Sequence, residues 1–186
     1  MLVLDMDGVL VNFCKAAYAV HGVPHNKHLP TSFDFFKGWG MTSAEFWGPI
    51  DDKGAEFWAN LEKYPWTDTI IEMAKDWPTG FLVATACSLS HHSAAGKVEA
   101  IKALFGNNFR DYALFPRKWH LAQSGYVLLD DHEENCEEWE TRKGRAILFP
   151  QPWNKNRYLA NDDMRMEWVV EQLTEALLED PEDAYV

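Results

Sequence analysis

Apolar residues in this chain fall into short continuous runs, separated by stretches in which they recur at helical spacing. Leu2, Val3 and Leu4 form the first run, the pattern of a strand buried on both faces of a parallel sheet. Phe81-Leu82-Val83-Ala84-Thr85 is the second. Residues 112–115 make a third, stopped by Pro116; Tyr126-Val127-Leu128-Leu129 is a fourth, and residues 146–149 a fifth. Between the runs, residues 12–20 read as a helix ended by Gly22-Val23-Pro24. Ile70, Met73, Ala74 and Trp77 lie at i, i+3, i+4 and i+7, one helix face, broken by Pro78-Thr79-Gly80. Ser90 is placed to cap a helix with Val98, Ile101 and Leu104 inward, closed by Gly106. A charged helix runs on to Gly144, residues 150–154 form a loop, and Met166, Val169, Val170, Leu173 and Leu177 predict the last helix. This alternation predicts an α/β fold, a doubly wound parallel sheet with helices on both faces.

The segment between the first strand and Pro65 breaks the pattern. It is rich in Gly, Pro and aromatic residues, including Phe33, Phe35, Phe36, Trp39, Phe46, Trp47, Phe57 and Trp58. Thr42-Ser43-Ala44-Glu45 fits a capping box, and residues 54–61 a second short helix. Residues 14–67 therefore read as a small helical cap inserted into a core of residues 1–13 and 68–186. Most of the aromatics are needed to hold such an insertion together, leaving two or three to line a site.

Composition narrows the function. The 186 residues are 47% hydrophobic and 25% charged, values of a globular protein, and no apolar run approaches a membrane span. The chain opens directly on the strand, so no secretory leader is expected, and Cys14, Cys87 and Cys136 show no Cys-x-x-Cys. A reducing cytoplasm is the expected compartment. A net charge of −12 argues against nucleic-acid polymers, whose binding rests on neutralised phosphates, though not against a small phosphorylated ligand. The acidic stretches 133–140 and 179–183 read as solvated helix face and frayed terminus. Exposed aromatics would support a homodimer, but nothing in the sequence locates an interface.

The chemistry lies where the runs end. Asp5-Met6-Asp7-Gly8 follows the first strand, and ligands of open α/β sheets collect beyond the carboxyl ends of strands. An EF-hand would need ligands where this chain has Val9 and Ala16. Thr85 ends the second strand, Asp130-Asp131 the fourth, and Arg117-Lys118 lies just past the third. A hydroxyl, a lysine and a carboxylate cluster are what phosphoryl transfer through a protein carboxylate requires. One Asp attacks phosphorus; a second protonates the leaving alkoxide and then activates water. Mg²⁺ suits such a set, taking one or two carboxylates plus phosphate and waters.

Asp5-Met6-Asp7-Gly8-Val9-Leu10, the strand ending in Thr85, Lys118 and Asp130-Asp131 resemble, in order, the four motifs of the haloacid dehalogenase-like (HAD) phosphohydrolases. Asn12-Phe13, the aromatic cap and Leu128-Leu129-Asp130-Asp131 extend the resemblance to the 5'(3')-deoxyribonucleotidase family. The resemblance implies Asp5 as nucleophile and metal ligand, and Asp7 as acid/base with its backbone carbonyl on the metal. It implies Thr85 and Lys118 as phosphate-binding groups, and Asp130 or Asp131 as completing the Mg²⁺ shell. Phe13 matches an aromatic that packs on the base, with Phe35, Phe36 and Trp39 as candidates for the cap's share of the pocket. Lys97 competes with Lys118 for the phosphate, but the helix also carries Glu99 and Lys102, which favours a solvated face. Family members often have a second hydroxyl after the motif threonine; here Ala86 and Cys87 follow, so backbone N–H groups are expected to substitute. Cys87 lacks an activating partner and reads as packing. His91-His92 reads as the start of a capped helix, and His21, His25 and His28 as loop residues without a partnered carboxylate. The expected partner is a nucleoside monophosphate; the alternatives are another small phosphomonoester, such as a sugar phosphate or cofactor, and a non-catalytic phosphate-binding module.

Overall fold

Leu2, Val3 and Leu4 are fully buried because their strand is the middle of the sheet. The computed structural model describes residues 1–25 and 29–178; His28 and the acidic stretch 179–183 lie outside the described residues. Five strands, β1 (Leu2–Leu4), β2 (Phe81–Thr85), β3 (Tyr112–Leu114), β4 (Val127–Asp130) and β5 (Arg145–Leu148), form one sheet in the order β3-β2-β1-β4-β5. All its pairings are parallel. The chain winds outward from β1 through β2 to β3, then returns to β1's other edge for β4 and β5. The direction reverses at β1, and a crevice opens there beyond the strand ends.

Alternation along β1 divides the core. Leu2 and Leu4 join a cluster with Ile70 and Ala74 of α4 (Thr67–Lys75), Ile101 of α5 (His91–Phe105), and Val169 and Leu173 of α7 (Asp162–Leu178). Val3 joins Ala84, Leu128 and Trp139, the last from α6 (Glu133–Glu140), on the other face. The central runs β1 and β4 are thus buried on both sides, as their lack of polar alternation requires, while the edge strand β3 is only half-buried.

Among the described residues, three helices precede α4: α1 (Phe13–Val20), α2 (Ser43–Asp51) and α3 (Ala55–Ala59), with a 3₁₀ turn at Phe35–Trp39. Asn12 caps α1 by accepting from the Lys15 amide at 2.9 Å. Thr42 and Glu45 form the expected reciprocal box at the start of α2. The chain rejoins the core where Trp66 Nε1 donates to the Val9 carbonyl (2.8 Å) and Thr67 Oγ1 to that of Leu10 (2.6 Å).

The inner face of α5 departs from expectation. Val98 and Leu104 are only half-buried; the fully buried positions are Ser93, Gly96, Lys97, Ala100 and Ile101, a face at i, i+3, i+4, i+7 and i+8. Small residues lie there because α3 presses on α5. A Cβ on Gly96 would lie 2.2 Å from the Ala55 carbonyl oxygen and 2.6 Å from the Trp58 Cβ. Close approach of these helices turns Lys97 inward, away from solvent.

Candidate active site

Asp5 leaves β1 still in sheet register, its amide donating to the Leu129 carbonyl at 2.9 Å. The next residues turn sharply: the amides of Leu10 and Val11 both return to the Met6 carbonyl, with Gly8 at φ +80°. Glycine is required at that position twice over, for the positive φ and for space. A Cβ there would lie 2.3 Å from Oδ2 of Asp131. The turn therefore brings the backbone of one carboxylate motif against the side chain of the other.

Two buried lysines organise the carboxylates. Lys118, which opens the 3₁₀ turn after β3, places Nζ 2.6 Å from Asp5 Oδ1 and 2.6 Å from Asp130 Oδ2. The Met6 amide also donates to Asp5 Oδ1 at 2.6 Å, so the attachments of this carboxylate fall on one oxygen and Oδ2 keeps its lone pairs. Asp130 is wholly buried and further held by Asn135 Nδ2 (3.0 Å) and the His132 amide (2.9 Å). Lys97 Nζ touches Asp7 Oδ2, the Ala86 carbonyl, and Thr85 Oγ1 at 2.8 Å. Lys97 is 1% exposed, so the solvated-face reading is wrong. Glu99 and Lys102 lie two and five positions on, across a 3.6-residue turn from it.

The site opens into a cavity of about 260 Å³. Asp5, Asp7, Gly8, Lys97, Lys118 and Asp131 form its polar floor, with Ala86, Cys87 and Ser88 beside them. Its walls are largely aromatic. Phe13 packs near-parallel to Trp58 (5.4 Å, 12° between planes) and to Trp47 (5.7 Å, 29°), whose rings are themselves 6.3 Å apart. Phe35, Phe36 and Phe46 close the wall behind, and Phe33 sits 4.0 Å from the His132 ring. Of the aromatics singled out from sequence, Phe13, Phe35 and Phe36 reach the cavity. Trp39 does not line it, and packs edge-on against Tyr18 at 4.6 Å. Trp47, Trp58 and Trp153 line it without having been expected there, since spacing within their own segments gives no sign of a shared wall. Cys14 lines the cavity too, but burial, then Asp131 and Asp7, push its thiol well above the ordinary range. His21 stacks on Phe46 at 5.1 Å, and His91 and His92 open α5.

Negative charge exceeds positive here. Four carboxylates (Asp5, Asp7, Asp130, Asp131) face two ammonium groups (Lys97, Lys118). Burial, resisted by Lys118 and reinforced by Asp130 and Asp7, pushes Asp5 up to about 7; burial, then Asp5 and Asp130, pushes Asp131 well above its ordinary value. Burial opposes the charge on Lys118, but Asp130 and Asp5 outweigh it and hold that ammonium above its usual pKa. Oxygens of Asp5, Asp130 and Asp131 lie within 4.8 Å of one another, and Oδ1 of Asp7 is buried without a hydrogen-bond partner. Oxygen donors, surplus negative charge and an orphaned oxygen together fit a divalent cation.

A stability test follows from the Asp5 shift. The folded metal-free protein holds a proton on Asp5 up to about pH 7, whereas the unfolded chain releases it near 3.8. This contribution is present in full below 3.8 and is lost as pH rises through 7. Thermal melts in EDTA should therefore show this contribution to Tm falling between pH 5 and 8, by about 2–4 °C for each kcal/mol lost. Mg²⁺ should reverse most of the fall at pH 8, and Asp5→Asn should remove it. A pH dependence identical in wild type and Asp5→Asn would show that Asp5 does not carry it.

No protein-family model matches the sequence, and no curated protein is significantly similar to it. Solved structures are more informative. A HAD family hydrolase from Deinococcus radiodurans R1, determined with bound phosphate and sodium, superposes with a TM-score of 0.56 at 11% identity, covering 94% of this chain and 95% of that one. The chain has the fold of HAD hydrolases. A family IA, variant 3 HAD hydrolase from Entamoeba histolytica HM-1:IMSS agrees, with a TM-score of 0.51 at 12% identity over 96% and 99% of the two chains. In the HAD fold seen here, the polar ends of β1, β2 and β4 meet at one edge of the sheet. No helix among the described residues is long and apolar enough to cross a membrane.

Proposed function

We propose that this protein is a Mg²⁺-dependent phosphomonoesterase acting on nucleoside monophosphates, deoxyribonucleotides in particular. The observation that carries the reading is the opening of the Asp5–Asp7–Lys118 floor into a cavity walled by Phe13, Trp47 and Trp58. A phosphate suits a floor that holds two buried ammonium groups and a carboxylate set fit for a divalent cation, and a planar base suits flat apolar walls, since stacking is favourable for any base. Residues 14–67 act as the cap over the α/β core. The bound phosphate in the Deinococcus radiodurans structure is consistent with phosphate chemistry in the shared fold.

In the first half-reaction, Asp5 Oδ2 attacks phosphorus, the bond to the ester oxygen breaks, and Asp7 gives its proton to the departing alkoxide. In the second, water attacks the aspartyl phosphate, Asp7 accepts its proton, and the Asp5–phosphorus bond breaks to restore the carboxylate. Lys118 fixes Asp5 by its other oxygen and adds positive charge beside the phosphoryl oxygens. Lys97 and Thr85 form a second polar corner next to Asp7. Asp5, Asp131 and the Asp7 backbone carbonyl would hold Mg²⁺, with Asp130 behind them on Lys118 and Asn135. The cation supplies screening between the anionic nucleophile and the anionic substrate. The aromatic cap excludes water during aspartyl-phosphate formation and opens for release.

Phosphate release from a panel of 5'- and 3'-nucleoside monophosphates and sugar phosphates, with Mg²⁺ and with EDTA, tests the reading. Mg²⁺-dependent release concentrated on deoxynucleotides is expected. Equal release from sugar phosphates would discard the nucleotide assignment but keep the mechanism. Folded protein that binds phosphate and Mg²⁺ yet hydrolyses nothing would make the fold a binding module.

A further inference from the structure

The loop after β5 does more than connect β5 to α7. The Phe149 amide continues the β4–β5 ladder by donating to the Asp130 carbonyl at 2.8 Å. Asn154 Nδ2 then bridges the carbonyls of Phe149 (2.8 Å) and Asp131 (2.9 Å), and Gln151 Nε2 donates to the Gly8 carbonyl. Outside this network, Arg165 Nε holds the Pro150 carbonyl at 2.8 Å. Gln151, Asn154 and Arg165 are all buried. The loop is therefore tied to both motifs that meet at the Gly8–Asp131 contact. A further polar group of the loop reaches the site itself: Trp153 Nε1 donates to Asp131 Oδ2 at 2.8 Å, and Trp153 lines the cavity.

We propose that Trp153 is a positioning residue for the metal-binding carboxylate of Asp131, its indole N–H anchoring Oδ2 so that the carboxylate is held in one orientation beside Gly8, ready for the cation. The inference rests on the metal-dependent reading above. A carboxylate on a short side chain turns freely about its last bond unless one oxygen is anchored. Here a charge-assisted hydrogen bond supplies the anchor, and the Gly8 backbone supplies the surface on which the group rests. Orienting partners of this kind typically change metal affinity by about 10–100-fold when removed. Tryptophan serves because a donor-only N–H cannot compete for the metal, while its two rings complete the apolar wall.

The test is calorimetric titration of Mg²⁺ and of Mn²⁺ into the metal-free full-length protein, without substrate. Three forms are compared: wild type, Trp153→Phe, and protein carrying 3-benzothienylalanine at 153, which keeps the two-ring shape and replaces N–H by sulfur. Both altered proteins are expected to bind the metals about 10-fold or more weakly. In assays, the half-activating Mg²⁺ concentration should rise about 10-fold or more in both altered proteins. The benzothienyl form guards against a packing defect in the smaller Phe variant. If it binds Mg²⁺ as wild type does, the hydrogen bond positions nothing and the proposal is overturned, even if Trp153→Phe binds poorly. Wild type that binds neither ion would overturn the metal-dependent reading, and this inference with it.

Discussion

Asp5→Asn is expected to lower phosphate release from a 5'-deoxynucleotide by at least about 10³-fold at saturating Mg²⁺, the scale on which removing a covalent nucleophile acts. Asparagine keeps the shape of the side chain and accepts the Met6 amide, but its neutral oxygen is too weak a nucleophile to displace an alkoxide. The protein should remain folded, because Lys118 retains its ion pair with Asp130. In EDTA at pH 8 the variant should melt above wild type, since one of the crowded buried carboxylates is gone. Loss of function with gain of metal-free stability is the expected signature of a site that stores repulsion for its ligand. Retention of full activity would exclude the covalent mechanism.

The largest stability effect should come from Lys118→Met. Methionine fills similar volume but leaves Asp5 and Asp130 buried without the ammonium between them. Removing one partner of a buried pair costs about 3–5 kcal/mol, which lowers Tm by on the order of 10 °C in a domain of this size. The deficit should be greatest in EDTA at pH 8 and shrink toward pH 5, where protonation relieves the unpaired carboxylates. Activity should fall as well, because the carboxyl pKa of Asp5 would rise further above 7. A Tm at pH 8 equal to wild type would mean that the Lys118 ion pairs contribute nothing to stability.

Much of this architecture is legible in the amino-acid sequence. The five apolar runs form five strands because runs without polar alternation can be buried only between two layers of helix. Asp5, Asp7, Thr85 and Asp130-Asp131 are identifiable because each follows or closes a strand, and parallel strands deliver all their carboxyl ends to one edge. Thr42 and Glu45 are readable as a cap because capping is a local matter.

Other features depend on which distant segments pack together. The neighbours Glu99 and Lys102 point Lys97 toward solvent, yet its environment is set by α3, whose approach at Gly96 and Trp58 turns that face inward. Trp39 is a pocket candidate by sequence and lies elsewhere, whereas Trp47 and Trp58 form the wall. Aromatic content identifies an apolar cluster but not which rings face its open side. Trp153 reads as part of a plain loop because its partner, Asp131, lies 22 residues away across β5. The sequence by itself determined the sheet, the motif carboxylates and the edge at which they gather, since these follow from periodicity and chain direction. Tertiary structure alone decided which lysine holds which carboxylate and which rings wall the cavity. It also decided that Asp131, rather than the fully enclosed Asp130, faces the cavity, because such pairings arise only when separate elements pack against one another.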